Sequence, residues 1–103
     1  DDIKDRCIAA KLISPTHENV FHVFPFLTPK RDQLKAFLAE NGVGTKIHYF
    51  CPPYLQPCYP EMNHLEFPIA KRIADEELSL PCNSSLNDED IIRVSKLINQ
   101  FLI

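Results

Sequence analysis

The sequence contains only two glycines, Gly42 and Gly44, and it has no tryptophan. Loops that cradle phosphate groups need several glycines, and neither the GxGxxG pattern nor the P-loop pattern occurs. No apolar run approaches the roughly 20 residues that a transmembrane helix needs. The net charge of -3 comes without a basic stripe, so nucleic-acid binding has no electrostatic support. We therefore expect neither a glycine-rich nucleotide loop, nor a membrane span, nor a nucleic-acid partner.

Cysteine usage indicates a reducing compartment. A chain of 103 residues can bury roughly two thirds of its unfolded surface, so it can fold without disulfide bonds. It lacks the cysteine density of small secreted domains and has no CxxC pair. It opens on Asp1 and Asp2 with no signal-peptide pattern. We expect a cytoplasmic protein whose thiols are free. The four cysteines are Cys7, Cys51, Cys58 and Cys82.

Hydrophobic periodicity predicts helices that alternate with short strands. This order predicts one domain over residues 1–103, an α/β or α+β two-layer fold with about three strands packed against helices. Pro25 inside the first strand indicates an edge position or a bulge. The predicted elements are a helix in 1–15, a strand at 20–27, a helix from Thr28 to before Gly42, a strand at 43–49, a loop at 51–67, a helix at 68–77, a strand at 78–80 and a helix after Asn87.

Capping residues and apolar stripes define the predicted helices. Thr28 and Pro29 are typical of a helix start, and Gly42 stands in the usual C-capping place. Asn87 is predicted to cap the last helix, whose first turn is acidic. The side chains expected to face the core are Leu34, Phe37 and Leu38 on one helix, Ile69, Ile73 and Ala74 on the next, and Ile91, Val94, Ile98 and Phe101 on the last.

The loop at 51–67 is the most unusual segment of the chain. It is rich in proline and contains Tyr54, Tyr59 and Phe67, with Tyr49 and Phe50 just before it. Loops of this length inside a small domain are usually functional or disordered, and the aromatic side chains argue against disorder. Binding residues often lie on loops that a rigid scaffold supports, so we expect the functional site here.

The side chains in and near this loop are compatible with three kinds of site. His48, Cys51, Cys58 and His64 contain zinc-ligand types, but the spacing H-x2-C-x6-C-x5-H matches no standard zinc arrangement. A cysteine paired with His48 is a conceivable nucleophile, although nothing in the sequence indicates a lowered thiol pKa. The pair His48 and Tyr49 offers hydrogen bonds to an anionic or hydroxylated ligand, against the simpler interpretation that Tyr49 is a core residue and His48 caps a turn. We predict no metal site.

Charged residues elsewhere carry no predicted chemistry. Lys30 and Arg31 are interpreted as a solvated face, and so is the acidic run at 75–77. The acidic run at 88–90 suits the positive end of a helix dipole.

Read together, these motifs resemble the C-terminal domain of the DegT/DnrJ/StrS sugar aminotransferases. The resemblance spans residues 18–102 and depends on the order and spacing of the motifs rather than on any single one. The matching elements are His22, Arg31-Asp32-x-Leu34, Gly42-Val43-x-Thr45, His48-Tyr49, Phe67-Pro68, Ala74, Leu78-Ser79-Leu80-Pro81 and the helix from Asn87 to Phe101.

The resemblance implies the small domain of an aspartate-aminotransferase-like fold (fold type I) and a homodimeric enzyme. Such enzymes use pyridoxal 5'-phosphate to move an amino group from glutamate to a nucleotide-linked keto sugar, in polysaccharide, lipopolysaccharide or deoxysugar biosynthesis. The cofactor lysine would lie outside this chain, which then contains no catalytic residue. The resemblance implies that His48 and Tyr49 contact substrate, and Tyr54 and Gln56 are further expected contacts.

Two residues depart from the family pattern. Phe50 stands where the family has proline after His-Tyr, and Tyr54 stands where it usually has histidine. Both lie in the substrate-facing loop, so the sugar preference does not follow from the resemblance. The alternative function is a self-sufficient small α/β module that binds a ligand without catalysis.

Overall fold

A computed structural model describes residues 8–9 and 22–102 of the chain. Helices pack on one side of a small antiparallel sheet, so the predicted two-layer α+β class is confirmed. Within the described residues the elements are β1 (Ile8–Ala9), β2 (Phe24–Leu27), α1 (Arg31–Glu40), two 3-10 turns (Pro53–Leu55 and Pro60–Met62), α2 (Pro68–Glu76), β3 (Glu77–Leu80) and α3 (Asp88–Leu102).

The sheet has the order β1-β2-β3, with both pairs antiparallel. The prediction that Pro25 marks an edge strand or a bulge is wrong, because β2 lies between its neighbours and Pro25 pairs in register with Ser79. The backbone N–H and C=O of Ser79 bond Lys46 instead, at 2.7 and 3.2 Å. Since Pro25 and Ser79 exchange no hydrogen bond, the missing N–H of Pro25 removes no hydrogen bond between β2 and β3.

The core lies between one face of the sheet and the helices α1 and α3. Phe26 and Leu78 are neighbours in the β2–β3 register and point to this face. Leu34 and Leu38 come from α1, and the rings of Phe37 and Phe101 meet at 5.5 Å between the helices. The buried cluster consists of Phe26, Leu34, Leu38, Val43, Leu78 and Ile98.

The helix α1 starts later than its capping pattern predicts. Thr28 is buried, and its backbone N–H donates to the Glu76 carbonyl at 3.1 Å. It therefore continues the pairing of β2 with the segment before β3 and is not yet helical. Its Oγ1 accepts the Lys30 N–H at 3.2 Å, which closes a turn before the helix begins at Arg31.

The predicted C-cap of α1 is confirmed. Gly42 has φ +78° and donates to the Ala39 carbonyl at 3.0 Å, while Val43 donates to the Leu38 carbonyl at 2.8 Å. This pair of bonds is a Schellman motif, and Val43 joins Leu38 in the core cluster as its hydrophobic contact.

Replacing Gly42 by alanine is expected to lower the free energy of unfolding by about 1 kcal/mol, because an L-residue pays for positive φ. A Cβ at this position would be 3.8 Å from Arg93 Nη2, an ordinary contact, so the backbone causes the whole loss. Urea denaturation measures it. Gly44→Ala is the matched control, since a Cβ there meets no atom within 4 Å. Equal losses in the two variants would contradict the C-cap assignment.

The predicted cap of α3 is confirmed as well. Asn87 Oδ1 accepts the Asp90 N–H at 2.9 Å, and Asp90 Oδ2 accepts the Asn87 N–H at 3.1 Å. These reciprocal bonds satisfy two backbone donors at the helix start. Along the predicted stripe, Val94, Ile98 and Phe101 pack on the core, whereas Ile91 is exposed.

Other sequence predictions are wrong in placement. Residues 43–49 form no strand, and only Lys46 makes a single bridge, to Ser79. Residues 8–9 belong to a strand rather than to the helix predicted in 1–15, whose other residues lie outside the described part. Short apolar runs do not distinguish these states. On α2 only Ala74 is buried, whereas Ile69 and Ile73, predicted to face inward, are exposed.

Candidate functional site

The candidate site begins with the residues of β3 that face away from the core. Side chains alternate along a strand, so Leu78 points to the core while Glu77 and Ser79 share the opposite face. Glu77 and Ser79 are nevertheless 5% and 6% exposed. A buried carboxylate and a buried hydroxyl need hydrogen-bond partners, and residue 48 supplies them.

Three hydrogen bonds join Glu77, Ser79 and His48. Glu77 Oε2 accepts the backbone N–H of His48 at 2.9 Å, and Glu77 Oε1 accepts the hydroxyl of Ser79. The Oγ of Ser79 lies 2.7 Å from Nδ1 of His48. The bridge between Lys46 and Ser79 sets this geometry, because it holds the segment before His48 beside β3. Ile47, the residue before His48, packs on the core.

His48 and Ser79 line a cleft of about 440 Å³ beside the sheet. Its lining includes Lys46 and the two histidines His22 and His48, and none of its lining residues is an acid. The Glu77 carboxylate lies behind this lining, bonded to His48 and Ser79. The charge and donors of the cleft suit an anionic or hydroxylated ligand. The cleft is lined by His22, Val23, Gly44, Thr45, Lys46, His48, Ser79, Leu80, Pro81 and Cys82.

Tyr49 follows His48, which lines the cleft, and its backbone has an unusual conformation. Its φ is +60°, in the left-handed region that a tyrosine rarely adopts, and its side chain is 85% exposed. Its ring centroid lies 6.3 Å from that of His48. Residues held in such a conformation cluster at functional sites, so the exposed phenol is a candidate contact for a molecule outside the described residues.

Tyr54 and Gln56 belong to a loop that packs on itself. Tyr54 is buried, and its ring makes an edge contact with Phe67 at 5.0 Å. Gln56 Nε2 donates to the Cys51 carbonyl at 3.0 Å, and Asn63 Nδ2 donates to the Tyr54 carbonyl at 2.8 Å. Local side-chain bonds of this kind define a compact surface loop. Tyr54 and Gln56 thus lie on the loop that follows Tyr49, and their substrate contacts stay predictions.

Arg31 and Glu77 do not lie on the solvated faces predicted for them. The Arg31 side chain is 14% exposed, and its Nη1 donates to the Ala74 carbonyl in the last turn of α2. Helix ends leave carbonyls unpaired, and the guanidinium satisfies one of them. The alternation Glu-x-Ser before Leu-Pro was a usable signal for Glu77 and Ser79, since residues two apart in a strand share a face.

The outer side of α2 has ordinary surface charges. Lys71 Nζ pairs with Asp75 at 2.7 Å, and this hydrogen bond raises the pKa of Lys71. Arg72 and Glu76 form a second pair at 3.3 Å.

The cysteine and metal interpretations gain no support from the described residues. In that part of the chain no group of three or more His, Cys, Asp or Glu side chains is placed to hold a metal ion. Cys51 and Cys58 are free thiols, while Cys7 lies outside the described residues. No helix among residues 22–102 is long and apolar enough to cross a membrane.

Fold and site together define a small α+β domain with a histidine-lined basic cleft. The model of the DegT/DnrJ/EryC1/StrS aminotransferase family matches residues 4–99. The chain belongs to this family, and the resemblance seen in its motifs is confirmed.

Curated relatives agree with this assignment. The chain is 31% identical over 101 residues to the dTDP-3-amino-3,6-dideoxy-alpha-D-galactopyranose transaminase of Aneurinibacillus thermoaerophilus, covering 98% of the chain and 28% of that protein. It is 39% identical over 85 residues to the pleiotropic regulatory protein of Geobacillus stearothermophilus, covering 81% of the chain and 23% of the relative. The chain therefore spans about a quarter of the length of these relatives.

A solved structure shares the fold. A DegT DnrJ EryC1 StrS aminotransferase from Brucella abortus superposes with a TM-score of 0.82 at 25% identity, over 96% of this chain and 27% of that one. The predicted fold class, that of aspartate-aminotransferase-like enzymes, is confirmed.

Proposed function

We propose that the chain is the C-terminal substrate-cleft domain of a pyridoxal-phosphate-dependent nucleotide-sugar aminotransferase. The observation that carries this proposal is the cleft lined by Lys46 and His48 in a member of an aminotransferase family. A relative whose name is a dTDP-sugar transaminase supports a nucleotide-linked keto sugar as substrate. Glutamate as amino donor, a cytoplasmic homodimer and a role in polysaccharide, lipopolysaccharide or deoxysugar biosynthesis belong to the same proposal.

Within this proposal the chain's residues bind and orient the sugar nucleotide. His48 is held from behind by Ser79 and Glu77, so its ring has one preferred direction. The phenol of Tyr49 offers a donor and an acceptor, and the ammonium of Lys46 suits a diphosphate. Tyr54 and Gln56 stay proposed contacts on the neighbouring loop.

The described residues do not fit the site that anchors the cofactor. A lysine that forms a Schiff base needs a desolvated amine, and every described lysine is exposed except Lys35. The amine of Lys35 donates to the Thr45 carbonyl at 3.0 Å. We therefore assign pyridoxal phosphate, which supplies the electron sink for amino transfer, to a part of the protein outside the described residues.

An exposed apolar surface supports a further covering domain. Large apolar side chains of the loop and of α2, which are close to one another in the sequence, are exposed to solvent; Phe50 is 74% and Ile69 78% exposed. Extended apolar surface of this kind usually marks an interface. Its members are Tyr49, Phe50, Tyr59, Met62, Leu65, Phe67, Ile69 and Ile73.

His48→Ala in the full-length protein tests the proposed function. We expect the half-reaction with the keto sugar to lose roughly 10- to 100-fold in kcat/KM, the cost of leaving a buried ligand group without its hydrogen-bond partner. The half-reaction with glutamate should change less than about threefold, because His48 is assigned to the sugar nucleotide. Single-turnover kinetics measures both. Equal losses, or no loss in either half-reaction, would argue against a sugar-nucleotide role for His48. A wild-type protein that catalyses neither half-reaction would favour a binding module without catalysis.

A further inference from the structure

The hydroxyl of Ser79 has one hydrogen, and this determines the state of His48. Glu77 Oε1 can only accept, so the hydrogen of Ser79 points to Glu77. The oxygen of Ser79 is then an acceptor toward His48, 2.7 Å away. Nδ1 of His48 must therefore carry a hydrogen. Glu77 is itself held by the backbone N–H of His48 at Oε2, so the carboxylate cannot rotate away without leaving a donor unpaired.

We propose that Glu77 and Ser79 are positioning residues that fix His48 as the Nδ1–H tautomer and so make Nε2 its ligand-facing atom. Within the described part of the chain, Nδ1 is the only ring atom of His48 in a hydrogen bond. The buried side chains of Glu77 and Ser79 are hydrogen-bonded in series to the imidazole of His48, which lines the cleft. Such outer partners commonly set which histidine nitrogen carries the proton.

The chemistry toward the cleft follows from the tautomer. A neutral His48 with a hydrogen on Nδ1 presents the lone pair of Nε2, which accepts a hydrogen bond from a ligand hydroxyl. This extends the proposed function, because it identifies hydroxyl groups of the sugar nucleotide as the partners of neutral His48. The tautomer itself is a property of the protein and can be measured whatever the substrate is.

Glu77→Gln separates positioning from simple structural support. The glutamine carbonyl can still accept the backbone N–H of His48, so its amide group then faces Ser79 and donates to it. The buried hydroxyl hydrogen of Ser79 has then lost its carboxylate acceptor, so we expect it to turn to Nδ1, which becomes an acceptor. The substitution is nearly isosteric, yet it reverses the tautomer and places the ring hydrogen on Nε2.

The test is nitrogen-15 NMR of the full-length protein with isotope-labelled histidine, at a pH where imidazoles are neutral. His48→Gln identifies the resonance of this residue. We expect a protonated Nδ1 and an unprotonated Nε2 in the wild type, and the opposite pattern in Glu77→Gln. Ser85→Ala is the control, because Ser85 bonds only Asn83 on an exposed turn and should leave the pattern unchanged.

A wild-type protein with the proton on Nε2 would overturn the inference, and so would a Glu77→Gln protein that retains the wild-type pattern. Ser79→Ala keeps the proposal testable if the glutamine variant fails to fold. It removes the acceptor, so the resonances should move toward a mixture of tautomers. Loss of the wild-type pattern in the Ser85→Ala control would equally count against it.

Kinetics separates this inference from the proposed function. Ser79→Ala should raise KM for the keto sugar roughly fivefold, the value of one neutral hydrogen bond, and change kcat less than twofold. Ser79→Thr, which restores the hydroxyl, should return KM toward the wild-type value. If His48→Ala affects both half-reactions equally while the tautomer pattern holds, the substrate assignment fails and the positioning network stands.

Discussion

Phe26→Ala is expected to lower the free energy of unfolding by about 3–5 kcal/mol, the range for truncating a buried aromatic ring. The ring of Phe26 is 1% exposed and lies at the centre of the cluster that joins the sheet to α1 and α3. Its removal takes contacts from both layers and leaves a cavity that the paired strands cannot collapse to fill. Urea denaturation, followed by circular dichroism, measures the loss.

Phe50→Ala is the matched control for this substitution. The same side chain is truncated, but Phe50 is 74% exposed in the chain alone. Surface substitutions usually change stability by less than about 0.5 kcal/mol. A loss at Phe50 as large as that at Phe26 would contradict the placement of the core. In the full-length protein the cost at Phe50 should rise if another domain covers it.

Glu77→Ala is expected to lower the free energy of unfolding by about 1–3 kcal/mol and to weaken binding at His48 as well. The carboxylate accepts from the backbone N–H of His48 and from the hydroxyl of Ser79. In the variant the hydroxyl can turn to Nδ1 of His48, but the backbone N–H is left without a partner, which costs about 1–3 kcal/mol. Urea denaturation and titration with a sugar nucleotide measure the two effects.

Glu76→Ala is the control for the adjacent carboxylate. Glu76 pairs with Arg72 at 3.3 Å, and the Arg72 side chain is 57% exposed. Exposed ion pairs contribute about 0–1 kcal/mol, so this variant should be less destabilised than Glu77→Ala. Similar losses at the two positions would mean that Glu77 has no special role in holding residue 48.

Local sequence signals predicted the parts of the fold that depend on local chemistry. Gly42 and Asn87 each form the cap that their residue types indicate, because a cap is settled within a few residues. The strand after α2 was also predicted closely, since Leu78 and Leu80 alternate with polar residues. The wrong element assignments concern pairing, in 8–9 and 43–49, which depends on distant partners that no local pattern specifies.

The sequence likewise predicted some residues of the candidate site and missed others. His48 and Tyr49 were singled out from residue types and from the family resemblance; His48 lines the cleft, and the ring of Tyr49 lies 6.3 Å from that of His48. Glu77 was misread as a solvated acid because it follows two acids that end a helix. Its burial results from the bridge between Lys46 and Ser79, a contact across 33 residues of chain.

The direct passage from α2 into β3 has a mechanical consequence. Glu76 ends the helix and Glu77 begins the strand, so no flexible residue separates them. The bond from Arg31 to Ala74 and the bond from Thr28 to Glu76 clamp this junction from the sheet side. The helix and the strand are therefore joined rigidly, and the Glu77 carboxylate behind His48 is anchored to α2 as well as to the sheet.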